Sequence, residues 1–170
     1  HSLNISWKCH TRCSLLKLPQ MKFMKWAGCK EMGMGIESAD DRVLEINNKM
    51  ATLSQHLKAV EIIKQAGLRV KTYFIAGLPG ETDETLEINK QFFRQAKPDK
   101  WTLSTFTPYP GCEVYNHPAS FGIKIIDTDF NHWWNFTESH FVFEFDYEPQ
   151  EATWARYKKF YAYLVSNEWK

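Results

Sequence analysis

Apolar residues along this chain recur at two spacings, and the spacing changes at glycines and prolines. Leu3, Ile5 and Trp7 alternate with polar neighbours, which predicts a short strand over residues 3–8. Leu15, Leu18, Phe23, Met24 and Ala27 then follow a helical spacing, with Pro19 in the first turn and Gly28 as the stop. A second strand is predicted over residues 30–36 and a short helix over residues 40–48, with Val43, Leu44 and Ile46 as its apolar side. The clearest helix covers residues 54–66: Ser54 is the expected cap, Leu57, Val60, Ile62, Ile63 and Ala66 the buried face, and Gly67 the end. Val70 to Ile75 are mostly β-branched or aromatic and read as a third strand, broken sharply at Gly77, Leu78, Pro79 and Gly80. Thr82 or Asp83 can cap the next helix, whose apolar residues are Leu86, Ile88, Phe92 and Phe93. Residues 100–106 make a fourth strand. The order β-α-β-α-α-β-α-β with short connections requires crossover helices and a parallel sheet.

Beyond Gly111 the periodicity fades. Residues 116–135 mix turn formers with aromatics, residues 141–145 suit a strand, and residues 151–165 suit a closing helix facing inward through Trp154, Tyr157, Tyr161 and Leu164. Trp133, Trp134, Phe141 and Phe143 fit a core cluster better than the floor of a pocket for a flat apolar substrate.

Composition changes this picture little. The chain has 170 residues, 44% hydrophobic and 24% charged, with a formal net charge of +1, so no global charge points to nucleic acid or a membrane surface. No apolar run approaches the roughly 20 residues that span a bilayer. Cys9, Cys13, Cys29 and Cys112 are too scattered for a disulfide framework, which makes a reducing cytoplasm the expected setting. The first residue is His1, not Met, which suggests a piece of something longer. His56, His117, His132 and His140 show no metal-ligand spacing and are expected on the surface or satisfied in the core.

Candidate chemistry lies at the strand ends, because ligands of parallel α/β proteins sit at the carboxyl ends of strands. Gly35, Ile36, Glu37 and Ser38 place a carboxylate beyond the second strand, where it can hold a ribose hydroxyl or an amino group or simply cap a helix. Gly77 to Thr82 can serve as an ordinary turn or a phosphate loop, although it lacks the Gly-Lys-Ser/Thr of nucleotide triphosphate loops.

Taken in order, the motifs resemble the radical S-adenosylmethionine enzymes, in particular the branch that often carries a cobalamin-binding domain. The matching set is Trp7, Cys9 and Arg12; Ala27, Gly28 and Cys29; Gly35-Ile-Glu-Ser38; Lys49; Gly77-Leu-Pro-Gly-Glu-Thr82; and Thr107-Pro-Tyr-Pro-Gly111. The resemblance implies an α/β fold, a partial (β/α)6 barrel truncated at its N-terminal strands, with residues 1–115 as its C-terminal part and 116–170 as an aromatic-rich extension. It implies S-adenosylmethionine and a [4Fe-4S] cluster as cofactors, with cobalamin as an optional third. The partners implied are a small-molecule or cofactor-like substrate and an electron donor. The family's three-cysteine loop is missing: Cys9 and Cys13 have its first spacing, but Leu16 stands where a third cysteine would be. The cluster ligands are therefore expected outside this chain, which starts near the family's third strand. By the same resemblance, Glu37 and Ser38 contact the nucleotide and Lys49 the methionine carboxylate. Ile75, Ala76 and Gly77 line the adenine, and Arg12 lies near the cofactor. Tyr73 stands where some relatives have a carboxylate, and the resemblance assigns no catalytic residue. The alternatives are a non-catalytic interaction domain built on the same barrel and another parallel α/β enzyme that binds a phosphorylated ligand.

Overall fold

The computed structural model describes residues 4–133 and 141–167; Leu3, Trp134 and His140 lie outside the described residues. The first two-thirds of the chain form one sheet of four strands, β1 (Trp7–Thr11), β2 (Cys29–Glu37), β3 (Arg69–Ala76) and β4 (Lys100–Thr105), paired in chain order. Every neighbouring pair is parallel, as the alternation of strands and helices requires. The crossovers are α1 (Leu18–Trp26), α2 (Asp41–Ile46) with α3 (Leu53–Gln65), and α4 (Asp83–Ala96).

The two faces of the sheet differ in chemistry. Met32, Met34, Ile36, Val70, Phe74, Ala76 and Leu103 are buried on the face that meets the helices. Phe74 packs against Phe92 and Phe93 of α4, with ring centroids 5.5 and 5.0 Å apart. The alternate residues on the other face include Lys8, His10, Gly33, Gly35, Lys71, Tyr73 and Ser104. There the Tyr73 hydroxyl lies 3.1 Å from His10 Nε2, and Lys71 sits over the Tyr73 ring.

The chain ends in α5 (Glu113–Asn116), the antiparallel pair β5 (Ile123–Ile125) and β6 (Phe143–Phe145), and α6 (Gln150–Ser166). Trp133, Phe141, Phe143, Tyr157, Phe160 and Leu164 are buried and join the same core as the sheet.

Four local readings of the sequence are corrected. The first strand occupies Trp7–Thr11 instead of residues 3–8: alternation identifies a face, but β2 sets the ends by pairing with Trp7 through Thr11. Thr52, not Ser54, caps α3, because Gln55 at the third position returns a bond to the Thr52 N–H and completes a capping box. The buried side of α6 runs through Thr153, Arg156, Tyr157, Phe160 and Leu164, leaving Tyr161 exposed. Arg156 can be buried because Glu148 takes its guanidinium at 2.6 and 2.9 Å. Finally, β5 gives no sequence signal, since its three residues lie in a turn-rich stretch.

Candidate functional site

The carboxyl ends of the four strands form a rim, and the most unusual backbone is there. Pairing of β2 with β3 shifts between Gly35 and Glu37, a bulge that re-aims the last residues of β2. Glu37 follows it with φ +63°, a left-handed conformation that costs a residue with a Cβ about 1–2 kcal/mol. Its carboxylate folds back across Gly35, where an added Cβ would collide with it. Lys49 Nζ meets Glu37 Oε1 at 2.8 Å. Both side chains are roughly a quarter exposed, at 27% and 23%. A pair so accessible contributes at most about 1 kcal/mol, too little to explain the strain beside it. Strain retained without a stability gain is a mark of a functional position.

The Glu37–Lys49 pair separates two hollows. One is a cleft of about 580 Å³ whose apolar lining includes Val43, Leu44, Ile75, Leu78, Phe106, Val114 and Phe121. The other is a pocket of about 220 Å³ with polar lining, including Arg12, Cys13, Lys49 and His56. Of the residues singled out from sequence, Glu37 and Lys49 border both hollows, Ile75 only the first and Arg12 only the second.

The others face elsewhere. Ser38 is buried, and its Oγ accepts the Asp40 N–H at 3.2 Å in a local turn. Ala76 is buried on the helix side of the sheet. Gly77, at φ +80°, donates its N–H to Glu81 Oε2, and the Phe141 ring occupies the space a Cβ would fill. The close approach that requires a glycine here is thus made by the tail.

Polar anchors hold this rim. Asp40 caps α2 by accepting the Arg42 N–H at 3.0 Å and also accepts the Thr85 hydroxyl of α4 at 2.7 Å. Asn89 of α4 accepts the Ala39 N–H at 2.7 Å. Asn47 and Arg42 donate to the carbonyls of Pro79 and Gly80 at 3.0 and 2.6 Å, tying α2 to the turn after β3. Glu81 is buried behind that turn, and burial pushes its carboxyl up to about 7 despite the opposing pull of the Gly77 N–H and Arg156. Arg156 in turn reaches Glu148 and Asp83. Glu81 was marked in sequence only as part of the Gly77 to Thr82 run, and Asn89 only as a polar residue beside the apolar Ile88; the burial of Arg156 and His56 had no sequence signal.

His56 is fully buried, and neither ring nitrogen has a hydrogen-bond partner among the described residues. Burial first, then the Lys49 charge, pushes its imidazole down to about 4, so the ring is neutral at pH 7. It is therefore neither on the surface nor satisfied in the core, the two positions expected from sequence.

The cysteines are dispersed. The Cys9 thiol donates to Met32 Sδ at 3.3 Å, and burial, with Cys29 beside it, pushes it up to about 11. Cys13 borders the smaller pocket, Cys112 caps α5 and is exposed, and all four thiols are free. Among the described residues, no three His, Cys, Asp or Glu side chains converge to hold a metal. Among them, too, no helix is long and apolar enough to cross a membrane.

Comparison with known proteins places this geometry. The chain is 36% identical over 115 residues to an uncharacterized methyltransferase of Pyrococcus horikoshii, covering 68% of this chain and 25% of that protein. It is 31% identical over 108 residues to the anaerobic magnesium-protoporphyrin IX monomethyl ester cyclase of Cereibacter sphaeroides, covering 62% of this chain and 18% of the cyclase. It thus spans a quarter or less of these relatives. Among solved structures, the radical S-adenosylmethionine methyltransferase TsrM of Kitasatospora setae superposes with a TM-score of 0.64 at 15% identity, covering 90% of this chain and 35% of that one. Residues 2–92, more than half of the chain, match the Radical SAM superfamily, and the chain belongs to that superfamily.

Proposed function

We propose that this chain is the part of a radical S-adenosylmethionine enzyme that binds the cofactor's nucleotide and amino acid ends and shapes the substrate side. Residues 1–115 are the C-terminal part of the catalytic barrel, and residues 116–170 an extension packed against it. The observation that carries this reading is the strained Glu37, paired with Lys49, between an apolar cleft and a polar pocket. The two hollows suit the two ends of the ligand. An adenosine ring stacks on apolar walls such as Ile75 and Phe106, while an amino acid end needs charge and hydrogen-bond donors. Glu37 accepts from ribose hydroxyls, Lys49 and Arg12 neutralise the methionine carboxylate, and Ser38, Ala76 and Gly77 hold the backbone behind them.

When bound, S-adenosylmethionine with a [4Fe-4S] cluster supplies one-electron or methyl-transfer chemistry. The described residues do not fit the cluster itself, so its ligands belong to another part of the intact protein. Cobalamin is a further cofactor on this reading, supported by the related methyltransferase that was solved with cobalamin and a cluster bound. The substrate is a small or cofactor-like molecule with an apolar portion, reached from the larger cleft, and an electron donor serves the cluster. A cytoplasmic setting suits the free thiols. Calorimetric titration with S-adenosylmethionine tests the proposal. Glu37→Ala is expected to weaken binding by about tenfold, the loss of one hydrogen bond to a charged group. Undiminished affinity in that variant would remove Glu37 from the site.

A further inference from the structure

The smaller pocket contains more than the proposed cofactor assignment uses. Two cations, Arg12 and Lys49, border it with one carboxylate, Glu37, already bound to Lys49. Among the described residues, no side-chain partner is found for the Arg12 guanidinium. Behind them is His56 in the first turns of α3, with no exposed surface and, among the described residues, no partner for either nitrogen. A buried polar group left without a partner costs about 1–3 kcal/mol, so a leucine or phenylalanine would serve the fold better at this position. The segment that carries the pocket wall to α3 is also strained, with Asn48 and Met50 at φ +50° and +55°.

A bound ligand with an acceptor oxygen resolves these facts. A neutral imidazole has one N–H donor and one acceptor nitrogen. A carboxylate has four lone-pair positions, and the pocket supplies an uncommitted guanidinium, an ammonium shared with Glu37, and an imidazole N–H. We propose that His56 is a ligand-binding residue, donating its ring N–H to the carboxylate of the bound ligand alongside Arg12 and Lys49. The inference rests on the reading that this ligand is S-adenosylmethionine, and it adds a third donor to the amino acid end. Arg12 and Lys49 attract the charge from the surface, while His56 fixes the oxygen at the buried end. Its ring does not compete as a third cation, because burial and Lys49 keep it neutral.

The test compares S-adenosylmethionine with 5′-methylthioadenosine, which keeps the nucleoside and sulfur but lacks the carboxylate. His56→Phe in the full protein is expected to weaken S-adenosylmethionine binding by about 10- to 100-fold, as for loss of a hydrogen bond to a charged group. Binding of 5′-methylthioadenosine is expected to stay within about twofold, and the melting temperature of the ligand-free variant to rise. His56→Gln, which keeps a nitrogen donor, is expected to recover part of the affinity. In the wild-type protein, the nitrogen-15 resonances of the His56 ring are expected to shift with S-adenosylmethionine and not with 5′-methylthioadenosine, a readout independent of any variant's folding. Equal loss of both ligands in His56→Phe, or unchanged affinity for S-adenosylmethionine, overturns the role of His56 and leaves the cofactor reading standing. Failure of the wild-type protein to bind either ligand overturns both.

Discussion

Glu81 offers a direct physical test of how the rim is built. Replacing it with glutamine keeps the shape and an oxygen that can accept the Gly77 N–H. Burial raises the folded carboxyl from its ordinary 4.5 to about 7. In the unfolded chain it ionises near 4.5, so between these values the folded state holds the extra proton. A raised carboxyl therefore favours the fold below pH 4.5, and that contribution is lost as pH rises through 7. The gap corresponds to about 3 kcal/mol at full development. Urea denaturation of both proteins at pH 5 and pH 8 measures it, and the difference between them removes groups that titrate in both. At pH 5 the two are expected to agree within about 1 kcal/mol; by pH 8 Glu81→Gln is expected to be more stable by up to about 3 kcal/mol. A difference that does not change with pH would refute the reasoning. So would a wild-type protein that gains on the variant as pH rises, because Arg156 would then be holding an ionised carboxylate.

Two further outcomes follow from local geometry. Gly77→Ala is expected to cost about 2–4 kcal/mol in chemical denaturation, combining a left-handed backbone with a collision against Phe141. Adding Phe141→Ala is expected to cost less than the sum of the two changes, and strict additivity would show that the ring and the glycine do not touch. Thr52→Ala removes the capping box of α3 and is expected to cost about 1 kcal/mol in the same assay, while Ser54→Ala is expected to change it little.

The parallel sheet was legible because strand and helix spacings alternate so regularly over residues 7–105. The site was legible only in part. Glu37 could be marked as a carboxylate just beyond a strand and Lys49 by the family resemblance alone, and the structure brings them to 2.8 Å of one another. What could not be read is where a side chain turns once a bulge or a left-handed residue intervenes. Ser38 and Ala76 are next to residues that border the hollows, yet both point away. The interior of α6 was misread for a related reason. Arginine looks like a surface residue until Glu148 and Asp83 are known to be beside it. His56 is the extreme case, since its neighbours Leu57 and Val60 are ordinary helix residues and only three-dimensional burial reveals that its nitrogens are alone.

The turn after β3 is braced from behind. Phe141 fills the space at Gly77, Gln150 donates to the Phe141 carbonyl, and Tyr147 donates to the Glu81 carbonyl at 3.4 Å. All three of these residues lie beyond residue 92, where the superfamily match stops. Two proteins could therefore share Glu37, Lys49 and Ile75 and still differ in how firmly that surface is held. Changes at Phe141, Tyr147 or Gln150 become a means of tuning affinity and exchange rate while Glu37, Lys49 and Ile75 stay in place.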